Sequence, residues 1–243
     1  MIRADVMLIG GTGIGSRLAA LGLRPTHVPT DHGVMRGFFG EHNGVRLFCV
    51  ERHSAGHKTP PHLINFRAIA SGAKRIGVRA VLSTAAVGSL VPTWGPGTLV
   101  VCSDFLDCTD RSITMWDRIV HHADFSHGLT AQRFLLEAAD ALNIPIERSG
   151  VYLGADGPRY ETPAEIRMFQ GFGGHVVGMT ASTEAELVGE MGVPYGCLGI
   201  VTNLGSGLSP ATLDHSEVVD VMMARGATVV EILVEASRRI AAA

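Results

Sequence analysis

Along the chain, short continuously apolar runs alternate with longer segments in which apolar residues recur every three or four positions. The continuous runs read as strands buried on both faces, and the recurring ones as helices with one apolar stripe. Strands are expected at Asp5 to Ile9, Gly33 to Phe39, Val45 to Val50, Ala80 to Ser89, Thr98 to Cys102, Val151 to Leu153, Val176-Val177 and Leu198 to Val201. Helices are expected over Ile64 to Ile76, Thr130 to Leu142, onwards from Glu161–Glu165, Thr183 to Met191 and Glu217 to Ile240. Asn43-Gly44 between two strand patterns predicts a hairpin. Asp107 to His127 carries neither period and reads as a long loop, a lid or an oligomer contact. Asp214 or Ser216 is placed to cap the last helix.

Buried parallel strands direct attention to the residues just beyond their ends, because ligands of open α/β sheets bind outside the carboxyl ends of the strands. After the first strand comes Gly10-Gly11-Thr12-Gly13-Ile14-Gly15-Ser16, which reads as a phosphate-cradling loop or a tight turn. It lacks the Lys-Ser/Thr of a P-loop and the spacing of a dinucleotide loop. The Val45 to Val50 strand delivers Arg52, His53, His57 and Lys58, enough donors to neutralise an anion, or a solvated basic loop. Ser83 to Ser89 is a run of small residues, suited to close backbone approach or to tight packing. The richest stretch runs from Val151 to Asn203, where Glu161, Met179-Thr180 and Asn203 all fall just beyond strand ends. Asn65 is expected to face either that site or a neighbouring loop.

Composition narrows the class. At 243 residues, 46% hydrophobic and 18% charged, the chain suits one α/β domain with a well-buried core. A net charge of −3, with Lys58 and Lys74 the only lysines, argues against nucleic acid. No apolar run is long enough to span a membrane, and the start does not resemble a signal peptide, so a cytoplasmic protein is expected. Cys49, Cys102, Cys108 and Cys197 show no paired spacing and read as small core residues in a reducing compartment. His121, His122 and His127 lie close in sequence but lack the helical spacing of a zinc site, so no metal is expected.

Several motifs occur in one order: G-G-T-G, E-R-H, T-A-A-V-G-S-L, D-G-P-R-Y-E-T-P-A-E, V-G-M-T and V-T-N. Together they resemble the trimeric purine nucleoside phosphorylase and methylthioadenosine phosphorylase family over nearly the whole chain. The resemblance implies one α/β domain around a mixed, mostly parallel and partly barrel-like sheet, assembled as a homotrimer or dimer of trimers. It also implies reversible phosphorolysis of purine ribonucleosides, with inorganic phosphate as co-substrate and no metal or organic cofactor. By the same resemblance Thr12, Arg52, His53 and Thr180, with backbone around Ala85-Ala86, bind phosphate. Met179 underlies the ribose, Tyr160 stacks on the base, and His122 is lent to a neighbouring subunit. The chain departs from the family at Ala85, where relatives carry Thr or Asn. The lost contact then falls to backbone, to Thr84, or to nothing. Thr183 also replaces a usual proline.

Glu161 and Asn203 are of the type found with 6-oxopurines. A carboxylate at Glu161 accepts from the N1–H of hypoxanthine or guanine, whereas adenine N1 has no proton to give. Asn203 donates to N7 as the base departs. His215 matches a histidine that holds a 5′-hydroxyl, which favours inosine and guanosine, with 5′-methylthioinosine next. Catalysis is thus expected from Asn203, Glu161 and His53. Three rival readings are a short-chain dehydrogenase, a nucleoside hydrolase and a non-catalytic nucleoside binder. The first lacks its Tyr-x-x-x-Lys pair, since Tyr152, Tyr160 and Tyr195 are followed at that spacing by Asp156, Ala164 and Gly199.

Overall fold

The computed structural model describes residues 2–54, 58–209 and 215–243, without the side chains of residues 215 and 216. Its strands join one sheet: β1 (Val6–Gly10), β2 (Arg24–Thr30), β3 (Gly33–His42), β4 (Val45–Glu51), β5 (Ala80–Ser89), β6 (Leu99–Asp107), β7 (Glu147–Gly154), β8 (Val176–Gly178) and β9 (Tyr195–Leu204). The order is β2-β3-β4-β1-β5-β8-β7-β6-β9, and β9 pairs back onto β5. The last five strands of that order therefore close a ring, while β1, β4, β3 and β2 extend from β5 as an open flange. This is the mixed, partly barrel-like sheet. Parallel pairs (β1–β4, β1–β5, β5–β9, β6–β7, β7–β8) outnumber antiparallel ones by a single pair. Strands β8 and β9 were expected to be parallel, and each is so on one side only. Ring closure sets β8 antiparallel to β5 and β9 antiparallel to β6.

Both faces of the flange are covered at β1 and over most of β4, which is why those two strands are nearly continuously apolar, whereas the outer strands β3 and β2 are largely exposed. Met7 and Ile9 of β1 pack with Phe66, Ile69, Ala73 and Ile76 of α2 (Phe66–Ile76) and with Leu187 and Val188 of α5 (Ala181–Glu190). Val6 and Leu8 face the other way, against Leu135 of α3 (Gln132–Ala141) and Val229, Ile232 and Leu233 of α6 (His215–Ala242). Each such Leu or Ile, buried fully, contributes roughly 1.5–3 kcal/mol. A short α1 (Gly15–Ala19) follows β1, and α4 (Pro163–Gly171) follows β7.

Helix α2 starts where Asn65 caps it: its Oδ1 accepts from the Ala68 N–H at 3.0 Å. The Asn65 Nδ2 donates to the His32 carbonyl at 2.8 Å, so the residue serves the neighbouring β2–β3 loop. The Asn43-Gly44 hairpin forms with both residues at positive φ. Residues 108–131 hold neither helix nor strand. Strand β2 escaped the sequence reading because Pro25 and Pro29 interrupt it. Proline is tolerated there because β2 is an edge strand, paired with β3 alone. Strand β6 runs past Cys102 to Asp107. Cys108 is exposed rather than part of the core, since it lies just beyond that strand; the other three cysteines are buried. Asp214 lies outside the described residues.

Candidate active site

A cavity of about 330 Å³ opens at the carboxyl ends of β1, β4 and β5. Ten sequence-predicted residues line it: Thr12, Arg52, His53, Ala85, Ala86, Tyr160, Glu161, Met179, Thr180 and Asn203. They come from six separate strand ends or loops, so only the fold brings them together.

The glycine loop is bound to β5 by the Gly11 N–H, which donates to Thr84 Oγ1 at 3.1 Å. A Cβ on Gly11 would stand 2.6 Å from Arg52 Nη1 and 2.9 Å from the Thr84 carbonyl, so only glycine admits this approach. Arg52 is buried, with its guanidinium spread over three groups. Its Nε and Nη2 fork onto Glu184 at 2.6 and 2.9 Å, Nη2 also donates to Ser83 Oγ, and Nη1 donates to the Thr84 carbonyl. Burial alone would make Arg52 easier to deprotonate, but the Glu184 carboxylate outweighs it and holds the cation firmly charged. Four of the five guanidinium N–H groups are thereby used, and one on Nη1 remains. Thr84 Oγ1 accepts from the Gly11 N–H and donates to the Ile9 carbonyl at 3.5 Å, and the residue is not among those lining the cavity beside Ala85. His53 Nδ1 lies 2.9 Å from the Thr59 carbonyl. A carbonyl only accepts, so this geometry assigns the proton to Nδ1.

Thr180 precedes α5, and its own amide and the first amide of that helix are already satisfied. The N–H groups of Thr180 and Ala181 both donate to the Tyr152 hydroxyl at 3.2 Å. Burial raises the Tyr152 pKa, which keeps the phenol neutral in this role.

On the other side of the cavity, β9 carries a bulge: Val87 pairs with Val201 and Gly88 with Asn203, leaving Thr202 unpaired. The extra residue turns both Thr202 and Asn203 into the cavity. Thr202 Oγ1 donates to Asn203 Oδ1 at 2.9 Å, and Asn203 Nδ2 donates to the Leu204 carbonyl at 2.9 Å. The amide is thus oriented, with one N–H of Nδ2 left over.

Glu161 sits just ahead of α4, whose start is a capping box. Thr162 Oγ1 accepts from the Glu165 N–H at 3.2 Å, and Glu165 Oε2 accepts from the Thr162 N–H at 2.7 Å. Arg159 forks onto Glu165 at 2.7 and 2.8 Å, holding that carboxyl down at about 2. Among the described residues Glu161 therefore has no direct ion-pair partner. Burial raises its pKa, and the nearby Glu165 raises it further. Gly157, in the same loop, leaves room for the Met179 sulfur against its backbone.

Of the two remaining predicted residues, only His122 has a described side chain. His122 is exposed, in the segment 108–131, and does not line the cavity. The His215 side chain lies outside the described residues; its backbone begins α6, whose Val218 does line the cavity. Among the described residues no group of three His, Cys, Asp or Glu is placed to hold a metal ion, and no helix is long and apolar enough to cross a membrane.

Residues 5–238 match the Phosphorylase superfamily. The chain belongs to this superfamily. It is 36% identical over 237 residues to the "Probable 6-oxopurine nucleoside phosphorylase" of Moorella thermoacetica, covering 95% of this chain and 91% of that one. It is 40% identical over 197 residues to the "Probable S-methyl-5'-thioinosine phosphorylase" of Methanothermobacter thermautotrophicus, covering 81% and 69%. Among solved structures, the methylthioadenosine phosphorylase from Schistosoma mansoni in complex with adenine superposes with a TM-score of 0.90 at 26% identity, covering 99% of this chain and 93% of that one.

Within this phosphorylase, sequence reasoning missed Thr202, Val218, Glu184, Ser83 and Tyr152. A signal existed for Glu184: an acid amid the small and apolar residues Ala181, Ala185 and Val188 must find a cation once buried. Thr202 had none, because a bulge is set by strand pairing rather than by local sequence.

Proposed function

We propose that this phosphorylase catalyses the reversible phosphorolysis of 6-oxopurine ribonucleosides, releasing hypoxanthine or guanine and ribose 1-phosphate. The observation that carries this reading is a half-buried Glu161 carboxylate, without a direct ion-pair partner among the described residues, facing the same cavity as an oriented Asn203 amide. Glu161 accepts from purine N1–H, and the remaining N–H of Asn203 donates to N7 as electrons of the C1′–N9 bond pass to the base. Adenine offers no N1 proton, and the mismatch costs about 1–3 kcal/mol. Phosphate enters on the opposite face of the ribose, near Thr12, His53, Thr180, the Ala85-Ala86 backbone and the last N–H of Arg52. Its charge stabilises the oxocarbenium-like ribosyl cation, and its oxygen forms the new bond to C1′. The side chains position phosphate and need no covalent step. Met179 supports the ribose and Tyr160 covers the base.

A second reading, 5′-methylthioinosine as substrate, is favoured by one observation: the described wall contributed by α6 is the apolar Val218. Under the first reading His215 holds the 5′-hydroxyl. We take the enzyme to be a cytoplasmic purine-salvage protein without metal or organic cofactor. It acts as a homotrimer or dimer of trimers in which His122 reaches a neighbouring cavity. Phosphorus NMR of guanosine and phosphate with the enzyme tests the reaction. A sugar 1-phosphate signal should grow in step with free guanine, whereas a hydrolase would leave phosphate unconsumed.

A further inference from the structure

Arg111 lies in the segment 108–131 and belongs to none of the groups assigned to phosphate, ribose or base. Its side chain nevertheless reaches the cavity wall. Nη1 donates to the Met179 carbonyl at 3.1 Å and to the Thr183 hydroxyl at 3.0 Å. Nη2 lies 3.1 Å from Asp156 Oδ1, and the guanidinium carbon is 5.6 Å from the centre of the Phe66 ring. Asp156 Oδ2 in turn accepts the Asp110 N–H at 2.7 Å. Met179 and Asp156 belong to different loops: one follows β8, and the other leads from β7 into Tyr160 and Glu161. Arg111 ties the two together.

Two observations argue that this is more than packing. The Arg111 side chain is only 15% exposed, yet Nε and Nη2 lack an aligned hydrogen-bond acceptor, the Asp156 ion pair being close but misdirected. Unmatched buried donors are costly, and an apolar side chain would fill the space at lower cost. Thr183 is the second observation. It is wholly buried, and its hydroxyl accepts from Arg111.

We infer that Arg111 is a positioning residue that locks the Met179 floor to the loop carrying Tyr160 and Glu161, fixing the spacing at which ribose and base are received. Its kinetic consequence rests on the proposed nucleoside reading; its structural consequence does not. The test uses the full chain with Arg111→Met, Arg111→Ala and Thr183→Val, measuring nucleoside KM, phosphate KM and backbone hydrogen exchange. In Arg111→Met, exchange should rise in both 155–161 and 179–183. Nucleoside KM should rise about ten- to a hundredfold while phosphate KM stays unchanged. Thr183→Val should shift both readouts the same way but less, and added guanidinium ion should restore part of the activity of Arg111→Ala. Exchange rising in 108–117 alone, both KM values rising together with a falling Tm, or no guanidinium rescue would overturn the inference. Should the wild-type chain release base from no nucleoside while exchange rises in both segments, the functional reading fails and the clasp stands.

Discussion

Arg52 Nε and Glu184 Oε1 lie 2.6 Å apart, each side chain only 1% exposed. Ser83 and Tyr195 both donate hydroxyl hydrogens to the same Glu184 oxygen, at 2.8 and 2.9 Å. The arginine assigned to the proposed phosphate side is thus largely neutralised from behind. It contributes geometry and one N–H rather than a full free charge.

Removing one member of such a pair strands the other. Glu184→Gln should destabilise the fold by about 3–5 kcal/mol in denaturant unfolding and raise phosphate KM more than nucleoside KM. The double variant Arg52→Met/Glu184→Leu should be more stable than Glu184→Gln. A double variant no more stable than the single would show that the pair is not the stabilising unit described.

Gly11 controls how closely the glycine loop approaches Arg52. In Gly11→Ala the new methyl would press on Nη1 and on the Thr84 carbonyl. Phosphate KM should rise at least about tenfold, with the nucleoside KM little changed. Isothermal titration of phosphate into the variant checks this, and unchanged affinity would remove the loop from the phosphate site.

Burial lifts Glu161 above the ordinary glutamate value of 4.5. In the proposed reaction its carboxylate accepts from N1–H, so the productive form prevails above the raised pKa and is lost as pH falls through it. The acid limb of kcat/KM for inosine should therefore sit above 4.5 and vanish in Glu161→Gln. Glu161→Leu should lower kcat/KM for inosine by about 1–3 kcal/mol, roughly five- to 150-fold. An acid limb that persists in Glu161→Gln would assign it to another group.

Much of the site was legible because its residues sit at strand ends, and strand ends announce themselves by apolar runs that stop at Gly, Pro or polar residues. Thr12, Arg52, Glu161, Thr180 and Asn203 were all found that way. Strand β2 was hidden by its prolines, and the closure of β9 onto β5 has no sequence signature because it joins residues over a hundred positions apart. The partners behind the site were hidden for the same reason. Glu184 lies inside the helix expected over Thr183 to Met191, and only the fold sets it against Arg52. Thr183 likewise looked like an unexplained departure until Arg111 was seen to donate to it.

The central claim is base discrimination coupled to phosphate. It is tested most directly by initial rates of base release from inosine and adenosine, each with and without phosphate. Rapid cleavage of inosine only when phosphate is present, with adenosine much slower, is the predicted result. Adenosine cleaved as fast as inosine, or inosine cleaved without phosphate, would contradict the roles given to Glu161 and Asn203 or the phosphate site itself.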